Sequence, residues 1–193
     1  MKLCVIGGAG ARSAFLTKSL VKSTRDIRVD HIVLLDNDQQ KLKTYGEISR
    51  ELSRRLDPDL TFEVTSDARA ALTGVDYIIT TIRAGGDAGR LFDEQTCLAH
   101  GVLGQETTGA GGFAMAIRSV PTLVYYCTLA REVANPGHLI FNFTNPSGII
   151  TQALRSKGFD NVYGICDAPS GFIKQLEEIL EIPYGTLDIE CYG

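Results

Sequence analysis

Two short stretches carry the side chains best suited to chemistry. One is Asn142-Phe143-Thr144-Asn145-Pro146-Ser147; the other, about twenty residues later, is Cys166-Asp167. Each follows a short apolar run, Leu139-Ile140-Phe141 or Val162-Tyr163-Gly164-Ile165, that reads as a buried strand. In an open parallel sheet, ligands collect at the carboxyl ends of strands. An amide pair, a thiol and a carboxylate placed there suit a polar substrate with a metal. A thiolate is a good ligand for Mn, Fe, Co or Ni in a site that also holds substrate oxygens. Such an ion would polarise a substrate carbonyl and acidify the neighbouring C–H. The competing reading of Cys166 is a buried thiol at a strand end.

The elements that must position these groups begin at the amino terminus. Residues 2–6 read as a strand and Gly7-Gly8-Ala9-Gly10-Ala11-Arg12-Ser13 as a glycine-rich turn. A helix follows, with Phe15, Leu16, Leu20 and Val21 on one side. Strand, turn and helix place a pyrophosphate at a helix amino terminus, where glycine allows close approach and the helix dipole favours negative charge. Gly8 and Gly10 match the dinucleotide fingerprint, and Ser13 stands where its third glycine would be. A second strand, 31–35, ends at Asp36-Asn37-Asp38. Asp36, 26 residues after Gly10, is spaced to accept hydrogen bonds from ribose hydroxyls. Its charge would repel a 2′-phosphate, so NAD is expected over NADP. The candidate cofactor residues are Gly7, Gly8, Gly10, Ala11, Asp36 and Asn37. Asp38 reads as the cap of the next helix.

That helix spans 38–56, with Leu42, Tyr45, Ile48, Leu52 and Leu56 inward and Arg50, Arg54 and Arg55 on a solvated face. Strands at 60–64 and 76–82 flank a short helix capped by Ser66-Asp67. The fourth strand runs into a glycine-rich loop, 83–90, whose Arg83 and Arg90 suit a phosphate or carboxylate substrate; a surface ion pair is an equal alternative. A helix at 91–100 leads into a second glycine-rich loop, with five glycines in residues 101–112. A long helix, 113–133, contains Pro121, which is expected to kink or divide it. Strands at 138–143 and 161–165 alternate with helices at 148–156 and 170–182. Residues 187–193 alternate as a strand that stops uncovered, so the sequence reads as cut there. The alternation of strands and helices predicts an α/β fold, a doubly wound, mainly parallel Rossmann-type sheet with helices on both faces.

Composition narrows the function classes. The chain has 193 residues, 44% hydrophobic and 22% charged, enough for one domain or one and a fraction. A net charge of −4 argues against nucleic acid or an anionic membrane surface as partner. No apolar run approaches the roughly 18 residues of a membrane span. Glycines interrupt the first apolar run at once, which is no signal-peptide pattern, so a cytoplasmic location is expected. Five scattered cysteines with no Cys-x-x-Cys exclude a disulfide framework and a structural zinc site, and Cys4 and Cys127 read as small buried hydrophobes.

The chain resembles the amino-terminal domain of glycoside hydrolase family 4, the NAD- and divalent-metal-dependent glycosidases. The resemblance rests on Ile6-Gly7-Gly8-Ala9-Gly10, Leu35-Asp36-Asn37-Asp38, Ile82-Arg83-Ala84-Gly85 and Asp93-Glu94-Gln95. It continues through Gly104-Gln105-Glu106-Thr107-Thr108-Gly109-Ala110-Gly111-Gly112-Phe113, Asn142 to Gly148, and Ile165-Cys166-Asp167-Ala168-Pro169. It implies that Cys166 binds the metal (Mn, with Fe, Co or Ni as alternatives) and that Asn145 contacts sugar hydroxyls. It implies further that Arg90 holds a sugar 6-phosphate with Arg83 assisting, and that Asp167 matches the carboxylate assigned as general acid in the α-acting phosphoglucosidases.

The implied reaction is oxidation at C3 by NAD, metal-assisted loss of the C2 proton, elimination of the glycosidic oxygen, addition of water and return of the hydride. The implied substrate is a phosphorylated disaccharide or glycoside, and the implied assembly a homo-dimer or homo-tetramer. A second metal-binding histidine and a tyrosine base are expected beyond Gly193. Residues 1–193 are therefore expected to be an NAD-binding domain, without its carboxyl-terminal partner and inactive alone. Gly104–Phe113 and Thr144–Gly148 resemble the 6-phospho-β-glucosidases, whereas Cys166-Asp167-Ala168-Pro169 is closer to the α-acting string. Rival readings are an α-acting or galactosidase relative, an NAD-dependent 2-hydroxy acid dehydrogenase, and a non-enzymatic NAD-binding module. The dehydrogenase would need a histidine–aspartate pair that the sequence does not show.

Overall fold

The computed structural model describes residues 1–190. Six strands, β1 (Lys2–Ile6), β2 (His31–Leu35), β3 (Thr61–Thr65), β4 (Tyr77–Thr80), β5 (Leu139–Asn142) and β6 (Val162–Gly164), form one sheet in the order β3-β2-β1-β4-β5-β6. Every pair is parallel. The helices are α1 (Ser13–Ile27), α2 (Gln39–Lys41), α3 (Glu47–Leu56), α4 (Ala68–Leu72), α5 (Gly86–Ala99), α6 (Gly109–Val133), α7 (Ser147–Ser156) and α8 (Ala168–Leu180). The expected doubly wound architecture is present, and its order reverses between β1 and β4. That reversal opens a crevice at the strand exits.

Strand alternation builds two cores. On β1, Leu3 and Val5 face one side with Ile32, Leu34, Val21 and Val29. Cys4 and Ile6 face the other with Leu72, Ile78, Leu123, Cys127, Ile140 and Leu154. With both faces covered, the central strands are apolar at nearly every position, as parallel strands must be.

The helices depart from the sequence reading in several places. Between α2 and α3 lies a π-helical turn, Leu42–Gly46. It changes which residues face inward. Leu42 is buried, but Gly46, Ser49 and Ser53 follow it into the core side, while Tyr45, Ile48 and Leu56 are exposed. Gly46 is required there, since a Cβ would stand 2.5 Å from Val64 Cγ1. Phe15 on α1 is likewise exposed, and Thr17 takes the inward position. Arg50, Arg54 and Arg55 are solvated as expected, paired with Glu47 and Glu51 on the same helix.

Helix α5 starts at Gly86, so Arg90 sits on a helix and not in a loop. The second glycine-rich stretch likewise gives its last four residues to α6. Helix α6 runs undivided through Pro121. It is also long and apolar enough, by composition, to cross a membrane, which the run-length reading missed. In the structure Met115, Ala116, Ser119, Leu123, Cys127 and Ala130 bury one face of it in the domain.

Residues 187–190 are not a strand. The backbone N–H groups of Thr186 and Leu187 donate instead to the buried Glu177 Oε1 on α8, at 2.8 and 3.0 Å. Cys191, Tyr192 and Gly193 lie outside the described residues.

Candidate active site

The first element of the site is the turn after β1. Gly7 adopts φ +85°, and a Cβ there would lie 2.5 Å from the Thr81 carbonyl oxygen at the exit of β4. Gly7 and Gly8 both donate to Leu35 O, at 2.8 and 3.0 Å. The turn is thus wedged between β2 and β4 and admits only glycine at Gly7. Gly10 differs: nothing lies within 4 Å of its would-be Cβ. Ser13, at the third fingerprint position, is buried, and its hydroxyl donates to Gly10 O at 2.6 Å. A small polar residue that satisfies itself within the turn therefore serves where glycine was expected.

Asp36 stands half-buried at the exit of β2 and Asn37 is exposed beside it. Asp36 accepts from Ala9 N–H at 3.2 Å and Asp38 N–H at 3.0 Å, so its carboxylate is aimed across the glycine turn. Asp38 caps α2 as expected, accepting from Gln40 and Lys41 N–H, and the Lys41 bond leads in pulling its carboxyl below the usual range. A dinucleotide fits this cradle. Gly10 leaves the turn open, Ala11 and Arg12 begin the approach to α1, and no acidic side chain occupies that helix's first turn.

Arg83 follows β4, and its Nη1 donates to Glu106 Oε2 at 2.6 Å. Arg90, on α5, donates to Glu94 at 2.7 Å and lies 3.8 Å from the same Glu106 oxygen. The two arginines thus face one carboxylate, in the ion pairing that the sequence left as an equal alternative. Glu106 was not among the residues assigned a role from sequence, although it lies in the Gly-Gln-Glu-Thr string. Asp93 and Arg118 were missed as a pair. Arg118 Nη1 donates to Asp93 Oδ1 at 2.9 Å and Nη2 donates to Oδ2, with Asp93 only 7% exposed. The carboxylates of Glu94 and Asp93 hold Arg90 and Arg118, respectively, more firmly charged.

The stretch after β5 divides into support and site. Asn142 is fully buried. Its Oδ1 accepts from Thr80 Oγ1 at 2.8 Å and from Thr144 N–H at 3.3 Å, and its Nδ2 donates to Thr151 Oγ1 at 3.2 Å. Thr144 Oγ1 in turn accepts from Ile82 N–H at 3.1 Å. This network locks the exits of β4 and β5 together. Asn145 is half-buried, and its peptide bond to Pro146 is cis. Its amide has no hydrogen bond among the described residues and is available to a ligand.

Cys166 and Asp167 follow β6. Cys166 is exposed, contrary to the buried-thiol reading, and its sulfur accepts from Ala168 N–H at 3.5 Å. It borders a groove of about 600 Å³ with Ser147, Thr151, Gln152 and Arg155. Asp167 is exposed at the start of α8, and its side chain makes no capping bond. Among the described residues no three His, Cys, Asp or Glu side chains gather as a metal cage.

Read along the sheet, the chemistry is ordered. A carboxylate (Asp36) stands at β2, the glycine turn at β1, an arginine (Arg83) at β4, an amide (Asn145) at β5 and a thiol (Cys166) at β6. Four strand spacings give a span of about 19 Å, with the switch point inside it.

A model described as "Family 4 glycosyl hydrolase" matches residues 2–182. The 6-phospho-beta-glucosidase BglT of Thermotoga maritima is 34% identical over 100% of this chain, which covers 46% of that protein. The phospho-alpha-glucosidase PagL of Clostridium acetobutylicum is 31% identical, over 99% of this chain and 43% of its own. A 6-phospho-alpha-glucosidase from gut microorganisms, solved with NAD and Mn2+, superposes with a TM-score of 0.90 at 31% identity, over 97% of this chain and 44% of that one. The Thermotoga enzyme solved with NAD and glucose-6-phosphate gives 0.84 at 34%, over 95% and 44%. A malate dehydrogenase from Naegleria fowleri, 14% identical at a TM-score of 0.69, shares the fold. The chain spans less than half the length of the curated relatives it matches.

Proposed function

Because this chain belongs to the family 4 glycosyl hydrolases, we propose that it forms the NAD-binding part of a 6-phospho-glucosidase, β-acting, that hydrolyses phosphorylated glycosides. The whole reaction is proposed for a polypeptide of the relatives' length. The observation that carries the reading is the order of side chains along the strand exits. The pairing of NAD with glucose-6-phosphate in the solved Thermotoga enzyme supports it.

Each residue then has a task. Gly7 and Gly8 shape the turn, and the backbone at Gly10 and Ala11 meets the pyrophosphate at the start of α1. Asp36 and Asn37 take the ribose hydroxyls. Arg83 and Arg90 hold the sugar phosphate, a task suited to the planar donor fork of arginine. Asn145 orients the sugar hydroxyls. NAD, when bound, supplies a hydride acceptor at the sugar. Cys166 as a thiolate, with Asn145, is proposed to hold a divalent cation, Mn being the favoured one. Asp167, at the start of α8, is placed to pass a proton to the departing glycosidic oxygen. This differs from a pair of carboxylates flanking the bond.

An α-acting enzyme is the second reading. It is favoured by the aspartate directly after Cys166 and by the close superposition on an α-glucosidase. A cytoplasmic location and a homo-dimeric or homo-tetrameric parent belong to the same proposal. The test is cleavage of nitrophenyl 6-phospho-α- and β-glucosides with NAD and Mn(II) by the chain extended to the relatives' length. The β-anomer is expected to be cleaved, with loss of activity in Cys166→Ser. An unchanged rate in that variant would remove Cys166 as a ligand.

A further inference from the structure

The arginines that face Glu106 sit on a corner that bends through left-handed glycine geometry, Gly85 at φ +86° and Gly86 at φ +62°. Such a corner has little side-chain packing of its own. Arg118, reaching over from α6, fills that gap. Its Nε donates to the Ala84 carbonyl at 3.2 Å, and its other two nitrogens grip both oxygens of Asp93. The chain wraps closely around the guanidinium: a Cβ on Gly85 would stand 3.0 Å from Arg118 Nε, and one on Gly89 would stand 3.5 Å away. Asp93 lies one helical turn beyond Arg90 on α5, so the grip fixes the helix that carries Arg90 and the loop that carries Arg83. Glu106 Oε2, 2.6 Å from one arginine and 3.8 Å from the other, marks where an anionic oxygen sits when both address it.

We infer that Asp93 and Arg118 are positioning residues for the sugar-phosphate site: the pair, with Asp93 buried and Arg118 half-buried, sets the spacing of Arg83 and Arg90 without touching substrate. This rests on the phosphate reading proposed above. It separates two roles that composition alone would merge, since Arg118 is held by four acceptors in the protein and has no fork left for a ligand.

The test measures three quantities on this chain: the dissociation constants of NAD and of glucose 6-phosphate, and the urea midpoint. Inorganic phosphate serves as a second anion probe. Arg118→Lys keeps the charge but loses the fork. Asp93→Asn keeps the shape but breaks the charge pair. Asp93→Leu with Arg118→Met removes both charges, so that the buried carboxylate is not left unpaired. Each variant is expected to weaken glucose 6-phosphate and phosphate binding, by about tenfold in the double variant and less with lysine, because the anion site then has to be ordered on binding. NAD binding is expected to stay within about threefold, a factor worth roughly half of a tenfold step in free energy. Unchanged sugar-phosphate affinity in the double variant would overturn the inference. So would a parallel loss of NAD and sugar phosphate, which marks a merely structural role. If the unmodified chain binds NAD but no glucose 6-phosphate, the sugar-phosphate reading fails first and takes the inference with it.

Discussion

Substituting Gly7 and Gly10 by alanine in parallel separates the glycine that the fold needs from the one it does not. At Gly7, alanine must enter the left-handed region, which costs about 1–2 kcal/mol. Its Cβ would also sit 2.5 Å from Thr81 O and 2.8 Å from Thr81 C, both backbone atoms. The turn cannot simply move away, because Gly7 N–H and Gly8 N–H are tied to Leu35 O, and Thr81 N–H is tied to Ile6 O at 2.8 Å. Overpacking of this kind costs a further 1–3 kcal/mol or so. The sum, about 2–5 kcal/mol, is a large part of a typical domain stability of roughly 5–15 kcal/mol. At Gly10 the added methyl meets nothing within 4 Å, and alanine narrows the unfolded ensemble, so stability should stay equal or rise by up to about 1 kcal/mol. Urea unfolding followed by circular dichroism reads both. The Gly7→Ala midpoint should fall by on the order of 1 M or more, and that of Gly10→Ala should not fall. Equal midpoints, or a larger loss at Gly10, would refute the wedge between β2 and β4.

Asn142→Leu should destabilise the fold by about 2–4 kcal/mol in the same assay, since it strands Thr80 and Thr144 in the core without their shared partner. Thiol labelling of the native chain at pH 8, read by peptide mapping, should modify Cys166 and spare Cys4 and Cys127. Burial pushes both of those thiols up to about 12, and they should react only on unfolding. Asp76 predicts an acid limb. The Asn135 side chain, then Lys2 N–H, lower its carboxyl below the usual value, so its contribution is present above the unfolded pKa near 3.9 and fades as pH falls through the lower folded value. Asp76→Asn should therefore flatten the pH dependence of the urea midpoint below about pH 4, and an unchanged slope would assign that limb to other carboxylates.

Much of the sheet was legible because parallel strands buried on both faces leave apolar runs that end in glycine, aspartate or asparagine. The strand exits were legible for the same reason, and they brought Asp36, Arg83, Asn145 and Cys166 to one edge. The inner face of α3 was not. One π-helical turn at Leu42–Gly46 shifts the period, and the inward residues, Ser49 and Ser53, carry no apolar signal. The alternation at 187–190 suggested a strand, but alternation supplies no pairing partner, and the buried Glu177 collects the N–H groups of Thr186 and Leu187 at its start. Arg118 and Asp93 lie 25 residues apart on different helices. Only the packing of α5 on α6 brings them together, although Asp93 was already in view within Asp93-Glu94-Gln95. Pro121 does not divide α6 because proline loses one hydrogen bond, which the burial of Leu123, Cys127, Leu129 and Ala130 in one apolar cluster outweighs.

The central claim is that the exits of β2 and β1 hold NAD. Calorimetric titration of this chain with NAD and with NADP tests it most directly, with Asp36→Ala alongside. NAD should bind at least about tenfold more tightly than NADP, a difference of roughly 1.4 kcal/mol, and Asp36→Ala should narrow that gap. No NAD binding, or equal affinity for the two dinucleotides in the unmodified chain, would contradict the account.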